Sequence, residues 1–567
     1  MNQKQKTFLL LFLVVIVAYR LLLIGAGQRY WPDEYRYLHA MHLIDELSKG
    51  NLQGGLNWVF GTTFDVAARP GFMFFAIIPA LMQGVGHLLF EIGPSDALFY
   101  RIPAIFNVAV SVGVALLFYR VALLLVKDHA LALLGLVSYG LLTNTNLYVR
   151  HLFPYDWSLL LLLAALNLIL SDETFLSSPH YKAILAGLLA GLGVTTYTPY
   201  WPMVIILVAA MVASRNSGWH NAPAFINALL SIVIMWEAIA RIGGLSYIGR
   251  FTEAMVDALV VTVWDVKGAL GGPIFLPFYS LRVEGLAGVM LLALFLYFWF
   301  GVARRRYGRV EVGVIGAASA VYIVYGSIGI FTHNHIFYFG RLIHMYFPFL
   351  VFGAILGLKG IAQKGLRIGV AMAMMASVVV SFVPTATRAL AISYPRDIER
   401  DLVASMAPGG GRTCTQLVDD KDKDEKVAIE CDLGNASALV VRHSPSNGIG
   451  SAASVANQTV FCNRVKDSTG QIQEPARHCN FVLENFRHVF PTSLAIVDAA
   501  PPSGFTLSAV YEHPLQFDPY WFEDFPPEAR NYYAGHPVQM RVYKRTGPVD
   551  KLLSLTDQTL ESSSSPR

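Results

Sequence analysis

Two adjacent carboxylates, Asp33 and Glu34, follow the first long apolar segment of the chain. A positioned carboxylate can take a proton from a hydroxyl group, and nearby arginines can hydrogen-bond to phosphate. Pro32, just before the pair, also suits a helix start, where acidic side chains are stabilised by the helix dipole. The pair therefore indicates either a catalytic site or a charged helix start. The aromatic and basic residues around it, which favour a sugar and phosphate site, are Arg29, Tyr30, Trp31, Tyr35, Arg36 and Tyr37.

Further ionisable residues lie at the ends of later apolar segments. Asp156 begins one such segment, where a charged group needs a role or a partner. Arg150 and His151 are its nearest candidate partners in the sequence, so an ion pair and a catalytic role both stay open. A later stretch with the sequence THNHIFYFGR supplies further candidates for phosphate contact, and the basic and aromatic residues of that stretch and of the turn after it are His333, His335, Tyr338, Arg341, His344 and Tyr346.

His333 and His335 form a His-x-His pair, a pattern that can hold a divalent metal ion. Phosphate contact or anchoring at the membrane interface explains the same pair, so the sequence commits to no cofactor. The four cysteines also argue against a zinc site, because none of them forms a Cys-x-x-Cys motif.

The composition predicts a membrane protein with a soluble part. Of the 567 residues, 54% are hydrophobic and only 14% are charged, against roughly a quarter in soluble proteins. The deficit lies in residues 1–390, whereas residues 391–549 have the composition of a soluble domain and residues 550–567 that of a disordered tail. A net charge of +4 is too small and too scattered to indicate nucleic-acid binding.

Twelve apolar segments are long enough to be candidate membrane helices, and basic residues in short loops orient them. Lys4, Arg304–Arg309 and the basic residues at 359–367 are expected on the cytoplasmic side. Residues 28–101, 150–155, 241–282 and 332–341 then face outward. This assignment needs an odd number of spans, so we predict about 11. Segment 71–90, which contains Pro79 and several polar residues, is expected to be a broken helix at the outer leaflet.

The soluble part is predicted to be an extracytoplasmic α+β domain with a mostly antiparallel sheet. Five short alternating segments predict its strands, at residues 427–433, 438–443, 494–499, 505–511 and 538–544. The cysteines are equally spaced within two pairs, which favours two disulfides in an oxidising compartment over free thiols. They are Cys414, Cys431, Cys462 and Cys479.

Four stretches resemble a known family. The sequence WPDEYRY followed by Arg69-Pro70 resembles the first outer loop of GT-C glycosyltransferases, in the branch of dolichyl-phosphomannose protein mannosyltransferases and lipid A aminoarabinose transferases. The other three are similar to apolar spans of that family: residues 101–125, 186–199 and 340–356. The resemblance covers about residues 1–390, and only the PDExRY element is specific.

The resemblance implies a polyprenyl-phosphate sugar donor and an acceptor hydroxyl on a lipid, glycan or protein, meeting outside the cell (inner) membrane. Asp33 matches the family's catalytic acid and Asp156 its supporting acid, while Arg69 and Arg341 replace basic residues that contact the donor phosphate. Tyr197-Thr198-Pro199 stands where much of the family has Thr-Lys-Gly, which leaves the sugar open.

A single displacement would invert the anomeric centre, and a two-carboxylate retaining scheme depends on the separation of Asp33 and Asp156. Two other classes use the same kind of lipid-linked sugar. A transporter or flippase would place charges near the bilayer midplane, and a polysaccharide polymerase or ligase would be expected to use a large late loop such as 241–282.

Overall fold

The computed structural model describes residues 2–24, 35–61, 69–91, 97–150, 153–171, 178–214, 218–260, 272–332 and 340–391, and seven strands between residues 412 and 545. The chain divides into two compact units. The first comprises residues 1–262 and 267–392, and the second comprises residues 263–266 and 393–567.

The first unit is helical. Its first nine described helices are α1 (Gln3–Leu23), α2 (Tyr35–Ser48), α3 (Leu52–Phe60), α4 (Pro70–Phe90), α5 (Ala97–Val126), α6 (His129–Leu141), α7 (Thr143–Leu147), α8 (Tyr155–Leu170) and α9 (Pro179–Thr196). The next nine are α10 (Pro202–Ala213), α11 (Ala222–Ile242), α12 (Tyr247–Val260), α13 (Phe275–Val283), α14 (Gly285–Ala303), α15 (Arg309–Thr332), α16 (Gly340–Ile343), α17 (Phe347–Lys359) and α18 (Lys364–Ala391).

All twelve apolar segments of the sequence are mostly helical in their described parts. Eight described helices are long and apolar enough to cross a membrane, and α6, α8 and the helix ending at Ala213 are shorter apolar helices. Large apolar side chains such as Leu10, Leu88 and Leu296 are exposed on these helices, as expected where lipid replaces water. The chain is a multi-pass α-helical membrane protein, as the sequence predicts.

Glycines allow the helices to pack closely around a buried centre. A Cβ atom on Gly187 of α9 would lie 2.2 Å from the backbone oxygen of Phe225 in α11. One on Gly357 of α17 would lie 2.1 Å from that of Leu294 in α14. Small residues at such crossings let two membrane helices approach until their backbones touch. Most residues of the segment Gly340–Lys359, which contains α17, are buried, so this segment lies in the interior of the unit.

The predicted break in segment 71–90 is absent. α4 is one continuous helix of 21 residues with Pro79 inside it. Its hydropathy and length would let it cross a membrane. Proline can be accommodated within a membrane helix because neighbouring groups satisfy the backbone atoms that it releases. The expected position at the outer leaflet stays a prediction.

A different apolar segment is broken. The segment predicted as one helix over residues 130–149 ends at Leu142, whose backbone is extended, and continues as the short helix α7. Side chains satisfy the carbonyl groups that this break releases. The Thr145 hydroxyl donates to the backbone oxygens of Tyr139 and Leu142, and the Asn146 amide donates to those of Gly140 and Leu142. These side-chain hydrogen bonds take the place of helix hydrogen bonds, so the carbonyl oxygens of Tyr139, Gly140 and Leu142 all have a donor.

The second unit contains β1 (Arg412–Val418), β2 (Ala436–His443), β3 (Val465–Lys466), β4 (Ile472–Gln473), β5 (Phe481–Asn485), β6 (Phe505–His513) and β7 (Val538–Arg545). Strands β2, β6 and β7 match three of the five predicted strands, and the predicted segments 427–433 and 494–499 lie outside the described residues. The five-stranded sheet has the order β1-β2-β5-β7-β6. Its pairs β1–β2 and β2–β5 are parallel and its pairs β5–β7 and β6–β7 are antiparallel, so the sheet is mixed rather than mostly antiparallel. Strand patterns show which face is buried but not the direction of a partner strand.

Candidate active site

Asp156 and His344 form a buried hydrogen-bonded pair. Asp156 lies in the first turn of α8 and is only 4% exposed. His344 lies between α16 and α17 and is fully buried. The Nε2 atom of His344 is 3.0 Å from Oδ1 of Asp156. The second carboxylate oxygen, Oδ2 of Asp156, is buried without a hydrogen-bond partner among the described residues. An unsatisfied buried acceptor is costly in a folded protein and is typical of a functional site.

Asn144 holds the other side of the histidine ring. Its Oδ1 atom is 2.7 Å from Nδ1 of His344, and its Nδ2 atom donates to the Gly340 carbonyl oxygen and the Tyr279 hydroxyl. The backbone amides of Thr143 and Asn144 donate to the two carboxylate oxygens of Glu284, both at 2.8 Å. The broken α6–α7 segment is therefore what places the amide against the histidine.

A buried arginine approaches the pair from the first helix. Arg20 is 1% exposed, and its guanidinium donates to Oδ1 of Asn146 at 3.0 Å and to the Ser111 hydroxyl at 2.8 Å. Its charge and that of Asp156 attract each other electrostatically. A cation buried in a membrane helix is expensive unless it has polar partners or a counter-charge. Arg20 therefore contributes positive potential to the region of Asp156.

Asn107 of α5 supports the start of α8. Its amide donates to the carbonyl oxygens of Tyr148 and Val149, and its Oδ1 accepts from the Trp157 indole at 2.6 Å. Every hydrogen-bonding atom of this amide is thus used to hold the loop before α8 against the helix itself. This arrangement fixes the backbone that carries Asp156.

An aromatic chain connects Arg69 to the same region. The guanidinium of Arg69, just before α4, lies 5.2 Å from the ring centre of Tyr197. Tyr197 in turn contacts Tyr155 and Tyr200 edge-on, with ring centres 4.8 and 4.9 Å apart. The Tyr200 hydroxyl donates to the backbone oxygen of Arg341 at 3.4 Å. Tyr197 thus holds Arg69 by a cation–π contact and links it to Tyr155 at the start of α8.

These residues lie at one end of the helical bundle. Arg20 is in the last turn of α1, the Asn144 segment follows α6, Asp156 begins α8, Glu284 precedes α14 and His344 precedes α17. Because they contact one another, these five helix ends share one end of the bundle. The ends of these helices thus form one buried polar cluster around Asp156 and His344.

Gly71 controls how closely the start of α4 approaches this cluster. A Cβ atom there would lie 2.6 Å from the backbone nitrogen of Thr196. We expect Gly71→Ala to cost about 1–3 kcal/mol of stability, as overpacked cores do, and to displace Arg69 from Tyr197. The measurement is the thermal unfolding midpoint of the purified protein. Gly84→Ala in the same helix is the matched control, because a Cβ atom at Gly84 would have no neighbour within 4 Å. Equal midpoints for the two variants would contradict the close approach.

The other predicted site residues fall into two groups. Tyr346 is buried and contacts the ring of Tyr322 edge-on at 5.1 Å. Arg36 lies in α2 and Arg150 ends the 3-10 turn Tyr148–Arg150, but their side chains are outside the described residues. Also outside are Asp33, Glu34, His151, His333, His335 and Tyr338.

The structure modifies the role expected of His344. The sequence grouped it with residues that contact the donor phosphate, but it has no exposed surface and both ring nitrogens are hydrogen-bonded to protein. It can therefore act on a substrate through Asp156 rather than directly.

The metal and disulfide predictions stay predictions. No group of three or more metal-ligating side chains occurs in the described part of the chain, and His333 and His335 lie outside it. Cys414 is in β1, where the structure describes the backbone only, and Cys431, Cys462 and Cys479 lie outside the described residues.

Several residues of the cluster were missed from the sequence, although a signal was present. The run Thr143-Asn144-Thr145-Asn146 interrupts an apolar segment, and Arg20 is a charge within the first one. Polar residues inside apolar segments point to interior contacts or function. Glu284 had no such signal, because it stands at a segment end where charged residues are common.

The geometry can be compared with known proteins. A solved structure with a similar fold is the crystal structure of ArnT from Cupriavidus metallidurans bound to undecaprenyl phosphate. The alignment covers 96% of this chain and 99% of that one, with a TM-score of 0.50. The chain has the ArnT fold. The two sequences are 12% identical, so the likeness to ArnT establishes the fold, as the resemblance to GT-C glycosyltransferases led us to expect. No family model and no curated relative matches the sequence.

Proposed function

We propose that this protein is a membrane glycosyltransferase that moves a sugar from a polyprenyl-phosphate donor to an acceptor hydroxyl. Two observations carry the proposal. The chain has the ArnT fold over 96% of its length. The buried Asp156 has a carboxylate oxygen, Oδ2, without a hydrogen-bond partner among the described residues. ArnT was crystallised with undecaprenyl phosphate, a polyprenyl phosphate, which is the lipid part of the donor that we propose. The PDExRY element of the sequence supports the same reaction.

The reaction needs cations for the phosphate and a base for the hydroxyl. The bond between the sugar and the phosphate oxygen breaks, and its electron pair stays on the lipid phosphate. Arg69 and Arg341 are the described cations that would stabilise the developing charge, and Arg36 and Arg150 supply further candidates. The acceptor hydroxyl forms the new bond to the sugar and loses its proton to a carboxylate, for which we propose Asp33.

Asp156 would hold the reacting groups in place. Oδ2 of Asp156, which has no hydrogen-bond partner among the described residues, can accept a hydrogen bond from a sugar or acceptor hydroxyl. Oδ1 of Asp156 is held by His344. One direct displacement gives inversion at the anomeric carbon, which we propose for this protein. We place the site and the second unit on the extracytoplasmic side of the cell membrane, because the basic loops of the sequence are expected in the cytoplasm.

The position of the polar cluster separates this proposal from a lipid-sugar transporter. Transporters bind substrate near the bilayer midplane, between half-helices. Here Asp156, Glu284 and His344 lie at the starts of α8, α14 and α17, whereas Asn107 and Ser111 of the same described cluster lie within α5. A polymerase or ligase working from the 241–282 loop would not depend on Asp156, which makes that alternative testable by substitution.

Mass spectrometry of membrane lipids and envelope glycans tests the proposal. Cells that lack the protein should accumulate a polyprenyl-phosphate sugar and lose the same sugar from one acceptor. The identities of both molecules would follow from the masses. Restoring the intact gene should reverse both changes. Unchanged acceptors in cells that lack the protein would contradict a transferase function.

A further inference from the structure

The orientation of the Asn144 amide determines which nitrogen of His344 carries a proton. The Nδ2 atom of Asn144 faces the carbonyl oxygen of Gly340 at 3.3 Å, and a carbonyl oxygen can only accept. The opposite orientation would place two acceptors against each other. Oδ1 of Asn144 therefore faces Nδ1 of His344, at 2.7 Å, and Nδ1 must donate.

A proton on Nδ1 has a consequence at the other ring nitrogen. A neutral imidazole with a proton on Nδ1 has only a lone pair on Nε2. That lone pair would face the lone pairs of an ionised Asp156 carboxylate at 3.0 Å. The contact is attractive only when a second proton lies between Nε2 and Oδ1. The pair is then either an imidazolium with a carboxylate or a neutral imidazole with a carboxylic acid.

We propose that His344 and Asp156 share one proton in the resting protein, and that Asn144 imposes this state by accepting from Nδ1 of His344. Both arrangements of the pair place a proton between Nε2 of His344 and Oδ1 of Asp156, so the 3.0 Å contact is a hydrogen bond in each of them. His344 and Asn144 are thus positioning residues for Asp156. They hold Oδ1 and leave Oδ2 to the substrate.

Among the described residues, the charged groups near the pair are Arg20 and Glu284, whose carboxylate accepts from the backbone amide of Asn144. Arg20 attracts Asp156 electrostatically, and the hydroxyls of Tyr139 and Tyr200 also lie within electrostatic range of it. The ring of Tyr148 contacts His344 edge-on at 5.3 Å. Arg20 favours a negative Asp156, so within the pair it favours the imidazolium–carboxylate form. In the described part of the chain, the acceptor that contacts Nδ1 of His344 is Oδ1 of Asn144.

The contribution of Asp156 to catalysis rests on the proposed function, but the shared proton does not. The test is nitrogen NMR of the full-length protein in lipid nanodiscs, with its 15 histidines labelled with nitrogen-15. Ring nitrogens that carry a proton are distinguished by their chemical shift and by coupling to hydrogen. His344→Gln identifies the His344 signals by their loss. No substrate is added, so a failure of the proposed reaction would leave this result unaffected.

The proposal expects Nδ1 of His344 to be protonated at neutral pH in the wild-type protein. Asn144→Asp keeps the acceptor and should keep the signal, whereas Asn144→Leu removes the acceptor and should shift His344 to the form with a lone pair on Nδ1. A lone pair on Nδ1 in the wild-type protein would overturn the proposal. An unchanged Nδ1 signal in Asn144→Leu would also overturn the role of Asn144. If the leucine variant does not fold, Asn144→Ala removes the same acceptor, and the wild-type spectrum by itself decides whether Nδ1 carries a proton.

Discussion

Replacing Asp156 with asparagine is expected to lower the rate of sugar transfer by a factor of about 100, the loss expected when reacting groups are no longer held in position. Asparagine has nearly the same size and can still hydrogen-bond to Nε2 of His344, so the packing of α8 should be retained. It removes the carboxylate charge near Arg20 and the second acceptor oxygen that we assign to the substrate. The measurement is the initial rate of donor consumption by the purified protein.

Asp45→Asn is a matched control for loss of a carboxylate. Asp45 lies in α2, is 53% exposed and pairs with Lys49 on the surface. Exposed ion pairs contribute little to stability, so this variant should keep the wild-type rate and thermal midpoint. If Asp156→Asn retained the wild-type rate while Asp45→Asn did the same, Asp156 would have no part in the reaction.

Asp33→Asn is expected to abolish transfer and to leave the amount of protein in the membrane unchanged. The expectation follows from the base that an acceptor hydroxyl needs and from the PDExRY pattern, in which Asp33 is the matching acid. Glu34→Gln is the closest control, because it removes the adjacent carboxylate with the same change of charge. Retained activity in Asp33→Asn would remove Asp33 from the catalytic role, and full loss in Glu34→Gln alone would transfer that role to Glu34.

The helices could be predicted from the sequence because the bilayer imposes long apolar segments. Each of the twelve segments is mostly helical in its described part. The ArnT fold agrees with the resemblance of WPDEYRY to GT-C glycosyltransferases. The break at Leu142 was not predicted. Thr145 and Asn146 satisfy the carbonyl groups released there, so the break needs no partner from a distant part of the chain. The continuous helix through Pro79 was also missed. In a membrane protein, neighbouring groups can satisfy the backbone carbonyl that a proline leaves without its helix hydrogen bond.

The candidate site was predictable only in part. Asp156 and His344 were both named from the sequence, but 188 positions separate them and nothing in their types indicates that they form a pair. The contact depends on α8 and α17 meeting at the same end of the bundle. Asn144 and Glu284 act through a hydrogen-bonded backbone segment, and such a connection leaves no pattern in one sequence.

The central claim is that this protein transfers a sugar from a polyprenyl phosphate, and release of that lipid tests it most directly. Purified protein in nanodiscs would be mixed with lipids extracted from cells that lack it, together with an envelope extract that contains acceptors. Mass spectrometry would follow free polyprenyl phosphate over time. We predict that free polyprenyl phosphate and a glycosylated acceptor appear together with wild-type protein and with Asp45→Asn, but not with Asp33→Asn or Asp156→Asn. Release by all four proteins at the same rate, or by none of them, would contradict the account.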